Sequence, residues 1–580
     1  MRFQVLALDY DGTITANGIV DPHVREAIGK ARSRGITVVI VTGRRIAHLR
    51  SDAGDLTFVD GIVAENGALI VIPRTGEATL LAPAPPEAFV AELNRRGIPH
   101  VRGEVVIEFD AAVAADVLTV VRELQLPLVL AFNRGRLMAL PQGVSKATGL
   151  WRLLVTMRKS LHNTVAIGDA ENDHELLRAA ELGAAVQWGS PALITAADDV
   201  VNGDGPAAVA SYIDMLLNSD RIPPARLGRR KLVLGTRCDD GTPVRLDIQG
   251  RNMLIVGDPR SGKSWVTGLL AEQLVMQRYC VCVIDPEGDY EGLEILPDVI
   301  VFGGDDPPPR ARELTRALRH ADVSIVVNLS KLPLDEKRLY VRELLEMLIV
   351  LRRRTGLPHR IVLDEAHYFL AEPVEKLIDL DLAGYTLVSY RASQLPATII
   401  DASETLIVTR ETDRSEVAKL FESHRLSGSI DDWTAMLSSL RVDEAMLLSG
   451  AEETAQTPAR VRLPARRTYH VRHLQKYIDV PVAAYHAFVF TRAGKATGLK
   501  ALTLQQLSQV LAGVDTEAID SHLRRGDFSR WIADVYGDRV LAARIAECEE
   551  RYRLKSIIDV NDAMNAAIRS RYADAESTSP

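Results

Sequence analysis

The chain has little of what marks a secreted or membrane-spanning protein. Only four of its 580 residues are cysteine, and they show neither paired spacing nor histidines at metal-ligand spacing. This is typical of reduced thiols in a cytoplasmic protein. The longest apolar stretches, such as residues 344–351, are too short to span a membrane, and we expect no secretory signal. The sequence therefore predicts a cytoplasmic protein with no membrane partner.

An excess of basic charge is also missing. The formal net charge is -8, with 69 Lys and Arg against 77 Asp and Glu. This balance disfavours a surface that is basic overall, although a basic channel for nucleic acid can lie inside an acidic protein. The length exceeds what one hydrophobic core supports, so we expect about three domains.

The first acidic motif follows a strand that we predict at residues 3–8. Asp9 and Asp11 stand at the carboxyl end of this strand, where α/β sheets place their functional sites. Two carboxylates separated by one residue suit a nucleophile and a general acid or base around a cation. For this pair alone, a polar turn between strand and loop is the alternative interpretation.

Two further strand ends carry polar groups. A strand predicted at Thr37–Val41 is followed by Thr42 and Gly43, whose hydroxyl and backbone amide suit a phosphate oxygen. A third predicted strand, 164–167, leads into an acidic run that contains Asp169 and Asp173. Each of these polar groups thus stands at the end of a predicted strand, where α/β sheets place their functional sites.

The stretches DYDGT, VTGR, VSK and GDAEND resemble, in this order, the four motifs of the haloacid dehalogenase superfamily. The closest match is its capped, sugar-phosphatase-like branch. The resemblance implies a Rossmann-like domain with an α+β cap at about residues 75–141. It also implies that Asp9 forms an aspartyl-phosphate, that Asp11 is the general acid and then the base, and that Lys146 binds the phosphoryl group with Thr42 and Gly43. The implied Mg²⁺ ligands are Asp9, Asp11 and Asp169, with Asp173 in support.

The cap would select the substrate. Its arginines could meet an anionic substrate or could be solvated surface residues, and the second interpretation is favoured. They are Arg95, Arg96, Arg102 and Arg134.

A P-loop pattern follows a strand predicted at Met253–Val256. Lys263 would reach the β- and γ-phosphates of ATP, and the Ser264 hydroxyl would hold Mg²⁺. The pattern precedes an amphipathic helix predicted at residues 265–277, which makes a mere glycine-rich turn the weaker alternative. The predicted ATP-binding residues of the loop are Gly257, Asp258, Pro259, Arg260, Ser261, Gly262, Lys263 and Ser264.

An apolar strand further along the chain ends in Asp364 and Glu365, the Walker B arrangement. Asp364 would bind Mg²⁺ through water, and Glu365 would polarise the attacking water. A buried strand with an exposed acidic end is the alternative for this pair alone. Gln394, after a strand predicted at Tyr385–Ser389, stands where a sensor of the γ-phosphate would lie.

The P-loop, DPEGDY, VLDEAH and SQLPATI together resemble the HerA/FtsK superfamily of P-loop ATPases. The resemblance implies a RecA-like domain that forms hexameric rings and moves double-stranded DNA or protein substrates. An arginine of a neighbouring subunit would complete each ATP site. The chain departs from the family in having only a short stretch, 231–248, where a β-barrel usually precedes the P-loop. The candidate arginines are Arg391, Arg410 and Arg414.

The fold class predicted for the whole chain is α/β, with a small, mostly helical C-terminal domain. Polar residues near His522 in that last domain could form a site, but capping and salt bridges between short helices are the favoured interpretation. The predicted divisions are a phosphatase at 1–218, a linker at 219–230, an ATPase at 231–465, a helical domain at 466–572 and a disordered tail at 573–580.

The sequence thus predicts a bifunctional enzyme that uses Mg²⁺ and hydrolyses ATP. Its expected partners are further copies of the chain, double-stranded DNA and a small phosphorylated substrate. One hypothesis is a DNA translocase in nucleic-acid processing or defence. The alternative is a metabolic or regulatory phosphatase of sugar or nucleotide phosphates, with the ATPase as a nucleotide-gated switch or scaffold. Intact Lys263, Asp364 and Glu365 argue against a purely structural ring.

Overall fold

The N-terminal region is built on an eight-stranded sheet with a parallel centre. It is seen in a computed structural model, which describes residues 3–573 except 17, 134, 220–221, 223–228, 249–250, 371–373, 424–426, 450–457, 469–481, 483–485, 493–494 and 537–538. In their order across the sheet, the strands are Asp199–Val201, Leu182–Val186, Thr164–Gly168, Val5–Asp9, Thr37–Val41, Gly61–Ala64, Leu69–Ile72 and Glu77–Leu80.

Helices cover this sheet, which explains why its central strands are buried along both faces. The first helix begins after Asp21, whose carboxylate accepts the N–H of His23, and has Pro22 at its first position. The flanking helices are Pro22–Ser33, Ile46–Ala53, Lys146–Thr156, His174–Ala179, Pro191–Ala196 and Gly205–Ser219.

A four-stranded antiparallel sheet with two helices forms the cap. The strand Glu77–Leu80 pairs with the large sheet, so the cap's own elements begin at Glu87 rather than near residue 75. The cap elements are the strands Val101–Arg102, Ile107–Asp110, Leu128–Asn133 and Arg136–Pro141 and the helices Glu87–Arg95 and Ala114–Glu123. A short hairpin, Thr15–Ala16 with Ile19–Val20, follows the first acidic motif.

The second region is an eleven-stranded sheet, parallel from Thr405–Val408 to Val299–Gly303 and antiparallel beyond. Its strands, in order, are Pro243–Asp247, Lys231–Arg237, Ala459–Arg462, Glu444–Ser449, Thr405–Val408, Met253–Val256, Tyr385–Ser389, Arg360–Leu363, Val281–Asp285, Ser324–Asn328 and Val299–Gly303. The accompanying helices are Lys263–Met276, Ala311–Ala317, Leu334–Thr355, Ala397–Asp401, Arg414–Ser423 and Ile430–Ser438.

The helix after the P-loop differs from the prediction. Lys263–Met276 was expected to show one apolar and one polar face, yet ten of its 14 residues are buried. The sheet covers one side, and on another Gln273 bonds to Val233 in the strand Lys231–Arg237. Arg466 packs on a third side, where a Cβ at Gly268 would lie 2.2 Å from its guanidinium carbon. The helix is therefore a core element and not a surface one.

The C-terminal region is mostly helical, as predicted, and begins with a hairpin. Its elements are the strands Phe488–Arg492 and Lys495–Ala501, the helices Leu504–Gly513, Thr516–Arg525, Asp527–Trp531, Arg539–Arg553 and Val560–Ala573, and the π-helical turn Ile532–Tyr536. His522 is locked by two contacts, since its Nδ1 lies 2.8 Å from Asp527 and its Nε2 accepts the N–H of Thr491. These contacts favour the structural interpretation of this cluster.

The predicted α/β fold class and the order of its parts are confirmed. The predicted linker lies largely outside the described residues, as does the tail after Ala573. Within the part of the chain that is described, no helix combines the length and the apolar composition that a membrane span requires.

A buried polar cluster joins the first two regions. Glu181 is its centre: its carboxylate lies 2.8 Å from His162 Nδ1, accepts a 3.0 Å bond from the Tyr279 hydroxyl and pairs with Arg230 at 3.3 Å. The His162 and Tyr279 rings stack at 3.7 Å between centroids. Nearby, His359 Nε2 lies 3.2 Å from Asn163 Oδ1. This polar cluster ties the two sheets together.

The cluster also fixes where the two sheets meet. His162, Glu181, Tyr279 and His359 all come immediately before, or within two residues of, the first residue of a parallel strand. The interface therefore lies at the amino ends of the strands in both sheets. The carboxyl ends, which carry the predicted sites, point away from the interface on either side.

The two interface histidines predict a pH dependence of stability. Burial lowers the pKa of His162 and of His359 below the ordinary value, so both stay neutral in the folded protein. The unfolded chain takes up these protons below about pH 6.5, and each histidine should then cost about 1.4 kcal/mol of unfolding free energy per pH unit. Calorimetric melting of the full chain at pH 7.5, 6.5 and 5.5 should show this loss on acidification.

The control is the double variant His162→Gln/His359→Gln, compared with His23→Gln at an exposed site. The double variant should have a shallower dependence on pH than the wild type. An equal dependence in both proteins would show that these histidines are not the titrating groups.

Candidate functional site

Three carboxylates meet at the carboxyl edge of the N-terminal sheet. Asp9 ends the central strand Val5–Asp9, and Asp169 follows the neighbouring strand. Asp173 comes from the short helical turn after it. All three are buried, and one oxygen of each lies within 4.8 Å of the others. The structure thus brings together three of the four side chains that the resemblance implies as Mg²⁺ ligands.

A buried lysine balances part of this charge. Lys146 opens a helix that Ser145 caps, and its Nζ donates to Asp9 Oδ1 at 2.6 Å and to Asp173 Oδ1 at 2.7 Å. The second oxygen of Asp173 accepts the N–H of Asp169. Burial, followed by the charge of Asp173, raises the pKa of Asp9 well above its ordinary value. The two carboxylates raise the pKa of Lys146 despite its burial, so the lysine stays charged.

The composition of this group fits a hard divalent cation. Three carboxylates and one ammonium give this buried group a net formal charge of minus two, and a divalent cation would offset it. Carboxylate oxygens are the ligands that Mg²⁺ prefers. Asp9, Asp169 and Asp173 are the side chains placed to hold it.

Asp11 takes a different position from the one implied for its side chain. It does not belong to the three-carboxylate group, and its side chain is 46% exposed. Arg44 holds it through two bonds of 2.6 and 2.7 Å, and also pairs with Asp52. In this pair both oxygens of the Asp11 carboxylate accept bonds from the Arg44 guanidinium, apart from the three buried carboxylates.

The predicted phosphate-binding residues lie beside the carboxylates. Thr42 is buried at the end of the strand Thr37–Val41, and its Oγ1 accepts the N–H of Arg44 at 3.1 Å. A Cβ at Gly43 would lie 3.6 Å from the sulfur of the cap residue Met138. Val41, the residue before Thr42, pairs with Asp9 in the sheet, so Thr42 and Gly43 follow a strand end beside Asp9, and Gly43 lies under Met138 of the cap.

Sequence reasoning missed several residues around this site. Arg44 stands inside the quoted VTGR stretch, but nothing in the sequence shows that it binds Asp11. Asn66 and Asn172 form a bond of 3.2 Å between two motif loops. Among the cap arginines, Arg95 and Arg96 pair with Glu92. Arg102 pairs with Glu87, and Arg134 lies outside the described residues.

The second site is the P-loop, between the strand Met253–Val256 and the helix Lys263–Met276. Gly257 is required, because a Cβ there would lie 2.2 Å from the hydroxyl of Thr409. The Lys263 ammonium donates to the carbonyl oxygens of Gly257 and Asp258, at 2.9 Å each. Lys263 is thus folded into the loop where it would meet a phosphate.

The other predicted loop residues surround this lysine. Gly262, at φ 103°, takes a left-handed backbone just before the helix, and Ser261 bonds to Thr409 at 2.5 Å. Arg260 also has a positive φ, of 63°. Asp258 accepts a bond from Thr412 at 2.9 Å, which joins the loop to the residues after the neighbouring strand Thr405–Val408. Pro259 lies between Asp258 and Arg260 at the turn of the loop.

The DPEGDY stretch reaches the P-loop, a contact the sequence did not reveal. Asp285 accepts backbone N–H groups of the following loop and so fixes its shape, while burial and Asp289 raise the pKa of Asp285 to about 7. The Ser264 hydroxyl donates to Asp289 Oδ2 at 2.8 Å. The Tyr290 hydroxyl donates to Asp364 Oδ2 at 3.2 Å. Both residues predicted to hold Mg²⁺ at the ATP site are therefore oriented by this one loop.

Glu365 and Gln394 lie at the same edge of the sheet. Glu365 is buried in a left-handed conformation, with φ 47°, directly after the Asp364 strand. His367 Nδ1 lies 3.5 Å from its carboxylate. Gln394 is exposed at the end of a short turn after Tyr385–Ser389, the strand next to that of the P-loop.

The three candidate arginines differ in their surroundings. Arg410 lies 3.9 Å from Asp258 of the P-loop in the same chain. Arg391 stacks over the Tyr390 ring at 5.5 Å. Arg414 is 64% exposed and pairs with an exposed acid outside the loop.

Two family models match the chain, one in its N-terminal region and one in the region that follows. The family model described as haloacid dehalogenase-like hydrolase matches residues 6–92 and 112–213. The model described as the central domain of helicase HerA matches residues 232–435.

The relatives found by sequence match the N-terminal region, over 36–38% of the chain. A phosphoglycolate phosphatase of Methanothermobacter thermautotrophicus is 30% identical, over 36% of this chain and 97% of its own length. One of Methanoculleus marisnigri is 30% identical, over 37% of this chain and 99% of its own. One of Sulfurisphaera tokodaii is 28% identical, over 38% and 98%.

Solved structures match the same region at lower identity. A haloacid dehalogenase subclass IIB sugar phosphatase is 19% identical with a TM-score of 0.32, covering 37% of this chain and 98% of that one. A haloacid dehalogenase-like hydrolase of Bacteroides thetaiotaomicron is 22% identical with a TM-score of 0.33, covering 37% and 100%. The chain belongs to the haloacid dehalogenase-like hydrolases, and its phosphohydrolase domain is followed by a P-loop ATPase region that matches the model of the central domain of helicase HerA.

Proposed function

We propose that the chain is bifunctional: a Mg²⁺-dependent phosphatase of small phosphate esters and an ATP-driven translocase of double-stranded DNA. The observation that carries this proposal is the presence of two separate sites. Each has its own buried lysine, at the start of a helix, and its own acidic residues at strand ends. They stand at the ends of their sheets that point away from the shared interface.

In the phosphatase reaction, Asp9 attacks phosphorus and the ester P–O bond breaks, which leaves an aspartyl-phosphate and an alkoxide. Asp11 supplies the proton to that alkoxide, and its carboxylate then takes a proton from the water that hydrolyses the aspartyl-phosphate. Arg44 binds both oxygens of Asp11 in the substrate-free protein, so Asp11 acts as the acid after this pair opens and the carboxylate takes up a proton. Lys146 holds Asp9 in place and neutralises phosphoryl charge together with Thr42 and Gly43. Mg²⁺, when bound, supplies charge stabilisation at the phosphoryl oxygens.

The proposed phosphatase substrate is a small phosphorylated acid. Relatives named phosphoglycolate phosphatase align over 97% and 99% of their own length, so the first domain alone corresponds to their entire chain. The cap closes over the site from above, with Met138 beside Gly43, which suits a small leaving group.

In the ATPase reaction, Lys263 binds the β- and γ-phosphates, and Ser264 and Asp364 hold Mg²⁺. Glu365 polarises the attacking water and Gln394 senses the γ-phosphate. We propose that the chain assembles into a ring around DNA, in line with the match to a helicase's central domain. One of Arg391, Arg410 and Arg414 would complete the site of the next subunit. The four cysteines, all free thiols, fit our placement of this enzyme in the cytoplasm.

A metabolic or regulatory role is the second candidate. Two observations favour it. The relatives named phosphoglycolate phosphatase align over 97% and 99% of their own length with the first domain alone, which leaves no room in them for a domain like the ATPase. In addition, the two sites of this chain face in opposite directions. In that case the phosphatase would act on small metabolites, and the ATPase would be a nucleotide-gated switch or scaffold.

Separate variants should silence the two reactions separately. Asp9→Asn removes the nucleophile and should lower phosphatase turnover by roughly 10³-fold or more while ATP hydrolysis persists. Glu365→Gln should do the reverse, because water is no longer polarised. Steady-state rates of both reactions on each purified variant provide the test. Loss of both reactions from either change, in a folded protein, would contradict independent sites.

DNA should stimulate the ATPase. We expect linear double-stranded DNA to raise the steady-state ATPase rate strongly, and rising salt to weaken the effect because phosphate contacts release counterions. Lys263→Ala serves as the blank, since it removes the phosphate-binding ammonium. A rate indifferent to DNA at low salt would reject the translocase and support the regulatory candidate.

A further inference from the structure

A three-residue turn connects the catalytic loops of the phosphatase. Glu65, Asn66 and Gly67 all have left-handed backbone angles, with φ of 50°, 54° and 107°. Gly67 cannot be replaced, because a Cβ there would lie 1.9 Å from the carbonyl oxygen of Ser145, the residue before the catalytic lysine. Consecutive strained residues of this kind persist only where their surroundings fix them, and they concentrate at functional sites.

The turn is bonded to two of the catalytic motifs. The Glu65 N–H donates to the carbonyl of Arg44, and the Asn66 N–H donates to that of Thr42, both at 3.0 Å. The Asn66 side-chain oxygen accepts a bond from Asn172, in the loop that carries the cation ligands. The turn is therefore held rigidly in the catalytic domain.

The Glu65 side chain leaves this turn and enters the cap. Its Oε1 accepts the backbone N–H of Glu104 at 2.9 Å, and its Oε2 accepts those of Val105 at 2.9 Å and Val106 at 3.1 Å. Glu65 is only 1% exposed, so these bonds form away from water. Hydrogen bonds to a carboxylate are among the stronger ones in proteins, and three of them fix the backbone of the cap loop 103–106.

Gly103 shows that the cap loop is shaped to this carboxylate. A Cβ at Gly103 would lie 2.7 Å from Glu65 Oε2, closer than real Cβ atoms approach. The Gly103 N–H also closes the loop by donating to Val106 O at 2.8 Å. The loop and the glutamate therefore fit each other in one arrangement.

The cap loop reaches the catalytic groups through Met138. Val105, Val106 and Met138 belong to one small apolar cluster between cap and core. The Met138 sulfur in turn lies at the phosphate-binding Gly43, 3.6 Å from where a Cβ would be. The position of the loop therefore fixes the position of the Met138 side chain, which covers the phosphoryl site.

We propose that Glu65 is a positioning residue that fastens the cap loop 103–106 to the catalytic domain, and that the fastened loop restricts the phosphatase to esters with small leaving groups. This inference rests on the proposed phosphatase function. Glu65 touches neither the phosphoryl group nor the cation ligands in this account. It acts through the loop and through Met138.

Amide hydrogen exchange tests the fastening directly. Glu65→Gln keeps the shape of the side chain but leaves one acceptor oxygen instead of two and removes the charge. The amides of residues 104–106 should then exchange roughly tenfold faster or more than in the wild type, with the core strands unchanged. Glu104→Gln is the matched control, since it removes one exposed carboxylate from the same loop. Unchanged exchange in Glu65→Gln would overturn the fastening.

Kinetics test the selectivity on the same proteins. The ratio of kcat/KM for 2-phosphoglycolate to that for a bulky nucleoside 5′-monophosphate should fall roughly tenfold in Glu65→Gln, mainly through KM, and stay unchanged in Glu104→Gln. Faster exchange with an unchanged ratio would overturn the restriction on leaving groups. A wild type that hydrolyses neither ester would overturn both that restriction and the proposed substrate class, whatever the exchange shows.

Gly103→Ala provides an independent variant if Glu65→Gln does not fold. It keeps the glutamate but pushes the loop away from the carboxylate, so it should reproduce both the faster exchange and the lower ratio. A folded Gly103→Ala protein with wild-type exchange and selectivity would contradict the proposal.

Discussion

The buried lysine between two aspartates is the interaction on which the phosphatase domain depends. Lys146 binds Asp9 and Asp173 at bonding distance, and Asp169 completes a group of three buried carboxylates. The net negative charge and the carboxylate oxygens of this group suit a divalent cation. The strand ends, the helix that begins at Lys146 and the loop of Asp173 are all constrained by this arrangement of charge.

The ATPase domain also places a buried lysine at the start of a helix, with different bonding partners. This lysine is Lys263, and its ammonium donates to carbonyl oxygens of the P-loop, where a phosphate would bind. In both domains the helix start and its lysine face the carboxyl edge of a parallel sheet. Because the sheets meet at their amino edges, the two sites lie on opposite sides of the interface that contains the cluster around Glu181.

Much of both sites could be predicted because parallel strands end together. Asp9, Thr42 and Asp169 each follow an apolar run, and so do the P-loop and Asp364, which is a local pattern visible in the sequence. What could not be predicted depends on partners distant in the chain. The pairing of Asp11 with Arg44 is of this kind, since it is decided by where two loops lie in space.

Other departures have the same origin. The helix after the P-loop has polar residues that suggest a surface, yet Arg466 and Val233 cover it from far along the chain. The edge strand Val299–Gly303 and the antiparallel strands Glu444–Ser449 and Ala459–Arg462 were not predicted, because their pairing partners and not their own pattern define them. The bonds between Glu65 and the cap could not be predicted either, because they join residues that are distant in the chain.

The most direct test of the central claim is the thermal stability of the full chain with and without Mg²⁺, in the absence of nucleotide and at constant ionic strength. If the carboxylates are held for a divalent cation, Mg²⁺ at ten times its Kd should stabilise the phosphatase domain by about 1.4 kcal/mol and raise its Tm. Asp169→Asn should abolish this rise. An unchanged Tm in the wild type, or an equal rise in Asp169→Asn, would contradict the account.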